Sequence, residues 1–267
     1  MKLSRTILLA SIAAVTLTSA AHAHDVWLLP SSTVLSRSGP VTVDGAVSND
    51  AFHFTYRPLR IQDNLFITGP QGISVEPENM MQGHLRTVFD ANLPEAGSYR
   101  IALVNASVMA SWKEGEETRR WRGRHEDLAT NVPADAPELS VRESISRIET
   151  FVTVGSPSEI APTGQGLEVH PVTHPNDLYE GEEATFAFTI DGKPAAGVEV
   201  SIMAGGTRYR DQLEKAALTT DGHGRISYTW PKPGMYRMEA SADDENTTLA
   251  NAQRRVSYAV TLEVLSQ

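Results

Sequence analysis

The sequence contains no cysteine. Disulfides are therefore excluded, and so are thiolate zinc sites and cysteine nucleophiles. A metal site in this chain has to use histidine, carboxylate, amine, methionine or water. Basic residues are in deficit, with 23 Lys and Arg against 33 Asp and Glu and a formal net charge of −10. An acidic balance argues against nucleic acid and anionic lipid as partners. Beyond the N-terminal segment no apolar run is long enough to span a bilayer. Catalytic signatures are missing too. There is no Gly-x-Ser-x-Gly elbow, no phosphate-binding loop and no dinucleotide fingerprint. The carboxylates are scattered and no pair stands out for acid–base work. The chain is expected not to be an enzyme.

The N-terminal segment reads as a secretory signal over residues 1–23. Lys2 and Arg5 supply the positive start, Ile7 to Val15 a short apolar stretch, and Ala21-His22-Ala23 a small-x-small cleavage pattern. Removing both cations makes the mature net charge −12. Cutting after Ala23 leaves His24-Asp25-Val26-Trp27 at the new terminus. A histidine in first position carries an α-amine and an imidazole on one residue, and the two can close a chelate ring on one ion. Cutting after Ala21 instead leaves His22-Ala23-His24. That places a histidine third, an amine–amide–imidazole set suited to Cu(II) or Ni(II). The plain alternative is an incidental histidine behind a signal that ends in Ala-x-Ala.

The mature chain is about the size of two small domains. Its pattern is mostly strand. Val41–Val47, Ser98–Val104, Ala184–Ile190, Val198–Ile202, Arg225–Trp230 and Val256–Leu265 alternate or run apolar between clusters of Gly, Pro, Asn and Asp. Pro94-Glu95-Ala96-Gly97-Ser98-Tyr99-Arg100-Ile101 echoes Pro231-Lys232-Pro233-Gly234-Met235-Tyr236-Arg237-Met238. A Gly-x-Tyr of this kind opens a late strand in immunoglobulin-like sandwiches, the tyrosine anchoring a corner. The expected fold is all-β: two tandem immunoglobulin-like β-sandwich domains after a cleaved signal peptide. Expected boundaries are 24–155 for the first domain, a Pro/Gly/Ser-rich linker over 156–166, and 167–267 for the second.

Residues 112–127 break the pattern with two tryptophans and a run of Glu and Arg. They are expected to form a charged loop whose tryptophans pack over the sandwich edge and whose arginines pair with acids. A sugar or an anion is the alternative occupant. Further on, His170 and His174 each precede a proline. In an extended segment they share a face about 13 Å apart, too far to bind one ion together without a bend. His174 is the better candidate ligand, because it opens the second unit, where the N-terminus can tuck in and bring His24 against it. His53, in the aromatic stretch Phe52-His53-Phe54-Thr55-Tyr56, is a third candidate. His84 and His125 default to the surface. His223, between two glycines, reads as an exposed turn residue.

The signal, the His24-Asp25-Val26-Trp27-Leu28-Leu29-Pro30 start and the Pro171-Val172-Thr173-His174-Pro175-Asn176-Asp177 segment resemble a family of exported bacterial proteins of unknown function. Its members are described as the periplasmic component of nickel or cobalt uptake systems. The resemblance spans essentially the whole mature chain. It implies periplasmic handling of nickel or cobalt, with His24 and, less directly, His174 among the ligands.

Three functions are in play. The first is a soluble periplasmic binding protein for a divalent transition metal (nickel, cobalt or copper) that hands its ion to an inner-membrane transporter. The second is a metal-free tandem β-sandwich used for interaction or as a structural spacer. The third is a copper-dependent oxidative enzyme, which needs a second histidine beside His24.

Overall fold

The computed structural model describes residues 24–247, 249 and 252–267. The expected signal peptide, with both candidate cleavage points, lies outside the described residues. The fold is all-β, and the described residues form nineteen strands and a single α-helical turn at Leu128–Asn131. No described helix is long and apolar enough to cross a membrane.

The strands form three sheets. Asp25–Pro30, Gly39–Ser48, Thr87–Leu93 and Pro77–Gln82 lie side by side in that order, and the short Arg57–Pro58 joins the Gly39–Ser48 edge. Leu167–Pro171, Glu183–Ile190, Lys193–Pro194 and Arg225–Thr229 make a second small sheet. Between them runs a ten-stranded sheet that serves both halves of the chain. At its centre, Ser140–Val154 pairs antiparallel with Gly97–Glu114 and parallel with Ala252–Val264.

Alternation along that central strand explains how one sheet serves two cores. Ile148, Val152 and Val154 point into the first core, with Leu28, Val43, Phe89 and Tyr99. Phe151 points the other way, into the second core, with Phe186, Phe188, Trp230 and Tyr258. The two small sheets therefore cover opposite faces of the shared sheet. The first core draws on residues 28–154 and the second on Phe151 and residues 160–264, so Ser140–Val154 belongs to both. The segment 156–166 is also tied down. Ile160 is buried in the second core, and Thr163 and Gly164 donate backbone N–H groups to the Glu168 carboxylate at 2.8 and 2.6 Å.

The repeated Pro-x-x-Gly-x-Tyr-Arg motif has the same structure twice. Tyr99 donates its hydroxyl to the Glu95 carbonyl at 2.9 Å, and Tyr236 donates to the Lys232 carbonyl at 2.9 Å. Gly97 and Gly234 share positive φ values of 131° and 136°. At Gly97 a Cβ would also stand 2.4 Å from Pro70. Both tyrosines are buried in their own cores. The arginine after each one faces away from that core, towards the other half of the molecule. Arg100 lies 3.4 Å from buried Glu149, and Arg237 lies 2.9 Å from Asp25.

The segment 112–127 is not the expected loop. Glu117–Gly123 is a strand that pairs with the outer half of Gly97–Glu114. A short turn of helix follows it. Trp112 and Trp121 pack on a small separate core of Val108, Ala110, Val132 and Val141. The apolar alternation is weak there because that narrow core covers one face and leaves the other in solvent.

Candidate functional site

The N-terminal strand Asp25–Pro30 crosses over the shared sheet where its two halves meet. Trp27 and Leu28 are buried, and the strand pairs with Gly39–Ser48 from Asp25 to Pro30. Its start is pinned from the second half of the chain. The buried Arg237 guanidinium donates from Nε to the Val26 carbonyl at 3.1 Å. Its remaining nitrogens reach Asp25 at 2.9 Å and Glu239 at 2.8 Å. Burial pushes the Asp25 carboxyl above its usual range, and the nearby Arg237 charge offsets this in part.

His24 is exposed at the head of this strand. Its ring stacks on Tyr56 with centroids 4.1 Å apart and planes inclined by 14°. It stands at the rim of a cleft of about 530 Å³. The floor of the cleft carries Ser146, Ser201, Ser241 and Ser257, and its charged groups include Glu199, Glu239, Lys215 and Arg255. Strand parity accounts for this composition. These residues alternate with the second-core side chains Val200, Ala240, Val256 and Tyr258, so they face away from that core.

His174 is elsewhere. Its Nδ1 accepts the Asn176 backbone N–H at 3.2 Å, which leaves the proton on Nε2, 2.7 Å from Ser98 Oγ. The relay continues from Ser98 to Thr153 at 3.1 Å and from Thr153 to Asn176 Oδ1 at 2.9 Å. Both ring nitrogens are committed, and burial lowers the His174 pKa. Ser98 and Thr153 alternate with Tyr99 and Val152 of the first core, whereas Ile148 of the cleft belongs to that core's side. His24 and His174 therefore lie on opposite faces of the shared sheet. The expected meeting of the two does not occur, because the halves pack on either side of a common sheet rather than end to end around a gap.

The strand carrying His170 ends at Pro171. Val172 and Thr173 both donate backbone N–H groups to the Thr185 carbonyl, which bends the chain. His170 and His174 consequently line one shallow cleft of about 310 Å³ instead of standing apart on an extended segment.

His53 sits in the first-half loop between Gly39–Ser48 and Arg57–Pro58. Its Nε2 lies 2.5 Å from Arg208 and accepts from that guanidinium. Around it, Phe52 packs on Gly205 and Thr207 Oγ1 donates to Asp50 at 3.3 Å. This histidine joins the two halves. His223 is exposed on its glycine turn, as expected, its backbone N–H held by Asp221 at 2.8 Å. Among the described residues, no three His, Asp or Glu side chains converge to hold an ion.

The sequence reading missed Arg237, Lys215 and Glu239. A signal for the first was present in the repeated Tyr-Arg dipeptide. A residue following a core tyrosine in a strand must face away from that core.

A protein-family profile described as a domain of unknown function (DUF4198) matches residues 21–244. The chain belongs to this family. The match takes in His24, the cleft residues up to Ser241 and the segment around His174. No curated protein matches the chain. Among solved structures, the D0-D1 domain of intimin is similar at 11% identity, with a TM-score of 0.22, over 88% of this chain and 96% of that one. The adhesin InvE of Yersinia pseudotuberculosis is similar at 11% identity and a TM-score of 0.23, over 88% of this chain and 58% of that one. Trypsin-activated alpha-2-macroglobulin from Escherichia coli is similar at 14% identity and a TM-score of 0.22, over 90% and 16%.

Proposed function

We propose that this DUF4198 member is a periplasmic divalent transition-metal binding protein, taking nickel, cobalt or copper at its mature N-terminal histidine and supporting uptake by an inner-membrane transporter. The observation that carries this reading is the placement of His24. It heads a strand that is pinned by Arg237, and its ring is oriented by Tyr56. Cleavage after Ala23 puts the α-amine on that same residue, so amine and imidazole enter the site together.

The remaining donors at the site differ from those expected. His174 and His53 are engaged in structural hydrogen bonds and are not assigned as ligands. The carboxylates of Glu199 and Glu239 share the cleft with His24, and water can take further positions. Two nitrogens with oxygen or water make an open, exchangeable coordination sphere, which suits transfer better than storage. The copper-oxidase reading asks for a second histidine beside the first. Among the described residues that line the cleft, the other positions are not histidine.

The test is calorimetric titration of Ni(II), Co(II) and Cu(II) into protein whose mature terminus is verified by intact mass. One equivalent should bind. His24→Ala, or a single residue added before His24, should weaken binding at least about tenfold, corresponding to ~1.4 kcal/mol. Equal binding by the extended chain places the metal elsewhere. No saturable binding by any of the three ions overturns the proposal.

A further inference from the structure

The outer halves of Gly97–Glu114 and Ser140–Val154 project past the first core, with Glu117–Gly123 along their edge. This projection has two unlike faces. One is covered by the small core around Val108, Ala110, Val132 and Val141. The other is open, and registry fixes its occupants. Arg122 stands opposite Met109, and Met109 opposite Arg142. Arg120 stands opposite Ser111, and Ser111 opposite Ser140. Those six residues line a cleft of about 390 Å³.

The charge on this face runs against that of the chain. The protein carries a net −10, yet three guanidiniums share the cleft and no carboxylate lines it. Among the described residues none of the three forms an ion pair. Arg122 reaches Ser107 at 3.4 Å and Arg142 reaches Gln253 at 3.3 Å, both long and weak contacts. Neighbouring arginines are satisfied. Arg119 pairs with Glu114 at 2.5 Å, Arg124 with Glu126 at 2.8 Å and Arg255 with Asp243 at 3.0 Å. Three like charges are thus left on neighbouring strands with no carboxylate among the residues that line the cleft.

Geometry selects the ligand class. Arg122 and Arg142 are two strands apart, about 10 Å between Cα atoms at ~4.8 Å per strand. The exposed Met109 side chain lies between them. Each guanidinium can take a carboxylate bidentately. The Ser111 and Ser140 hydroxyls add donors beside them. We infer that this face binds a small di- or tricarboxylate, its anionic ends held by Arg122, Arg142 and Arg120 and its short carbon spine lying over Met109. The site is remote from the N-terminal histidine in the sequence and does not rest on the metal reading.

Titration of citrate, glutarate, acetate and inorganic phosphate into the metal-free mature protein at low salt tests this. Citrate or glutarate should bind at one equivalent, with affinity falling as salt is raised. The double variant Arg122→Gln/Arg142→Gln should lose at least about tenfold in affinity, or ~1.4 kcal/mol. Arg119→Gln, on the covered face, should stay within twofold. The side chains changed in the double variant are exposed, so an unchanged thermal melt serves as the folding control. Three results overturn the inference: no saturable binding of either polycarboxylate, undiminished binding by the double variant, or acetate or phosphate binding as tightly as citrate.

Discussion

Arg237→Ala removes a guanidinium that reaches from one half of the molecule to fix the first residues of the other. Three contacts go with it. The bond to the Val26 carbonyl at 3.1 Å is worth about 1 kcal/mol. The contact with Glu239 joins a carboxylate whose side chain is 38% exposed, and it contributes at most ~1 kcal/mol. Asp25 matters more, because its side chain is 15% exposed and loses its cationic partner. An uncompensated, mostly buried charge costs about 2 kcal/mol, and protonation relieves part of it. The loss comes to about 3 kcal/mol. For a chain of this size that is a fall in Tm of roughly 6–12 °C. Scanning calorimetry measures it, and hydrogen exchange locates it: protection should drop first over Asp25–Pro30. Because Asp25 already titrates above its usual range, it takes up a proton more readily once Arg237 is gone. The deficit should therefore shrink as pH falls through the carboxylate range. A Tm within 2 °C of wild type, or unchanged exchange in the first strand, would refute the pinning role.

Two further outcomes are expected. Phe151→Ala empties a position on the shared strand that is 2% exposed, and should destabilise the protein by about 3–5 kcal/mol. Exchange protection should fall together in Gly39–Ser48 and Glu183–Ile190, and loss confined to the second strand would mean that the halves unfold independently. Arg254 donates to Asp244 at 2.7 Å and to Asp191 at 2.6 Å. The bonds from Arg254 and from the Asn246 N–H hold Asp244 below the usual carboxylate range. At Asp191 burial opposes the shift, and bonds from Arg254, the Gly166 N–H and Asn246 outweigh it. Depressed folded-state values mean stability that is present above pH ~4 and lost as pH falls through them. Asp244→Asn should therefore cost about 1–2 kcal/mol at pH 7. Denaturant melts against pH should show that difference closing below pH ~4, and a gap that persists in acid would point to shape rather than charge.

Local patterns carried the fold a long way. Alternation located the strands from Val41 to Val256, and the Gly-x-Tyr echo marked two corners that share geometry down to the hydroxyl bond. Asp191-Gly192 makes the hairpin turn between Glu183–Ile190 and Lys193–Pro194, with φ values of 50° and 76°. The arrangement of the halves was not legible. It depends on parallel pairing of residues 141–150 with 252–261, and such a pairing leaves no signature in either segment. The error over His24 and His174 follows directly. Each sits at the start of its half, so a picture of two tandem beads brings them together, and a common sheet holds them apart. The arginine-bearing strand was read as a loop for a related reason. Its inward residues are Arg119 and Trp121, and one apolar side chain does not make an alternation.

The shared sheet also sets an order of events in time. Thr150 and Thr261 lie on paired strands 111 residues apart. Until Ala252–Val264 is available, Ser140–Val154 presents an open edge, and the core that Phe151 enters lacks Val256, Tyr258, Val260, Leu262 and Val264. Pairing over such a separation forms slowly, because the loop must close before contacts reward it. A chain delivered from its N-terminus would expose that edge during delivery, when neighbouring copies can pair with it. Escort by a chaperone during this interval would shield the central strand before its partner arrives.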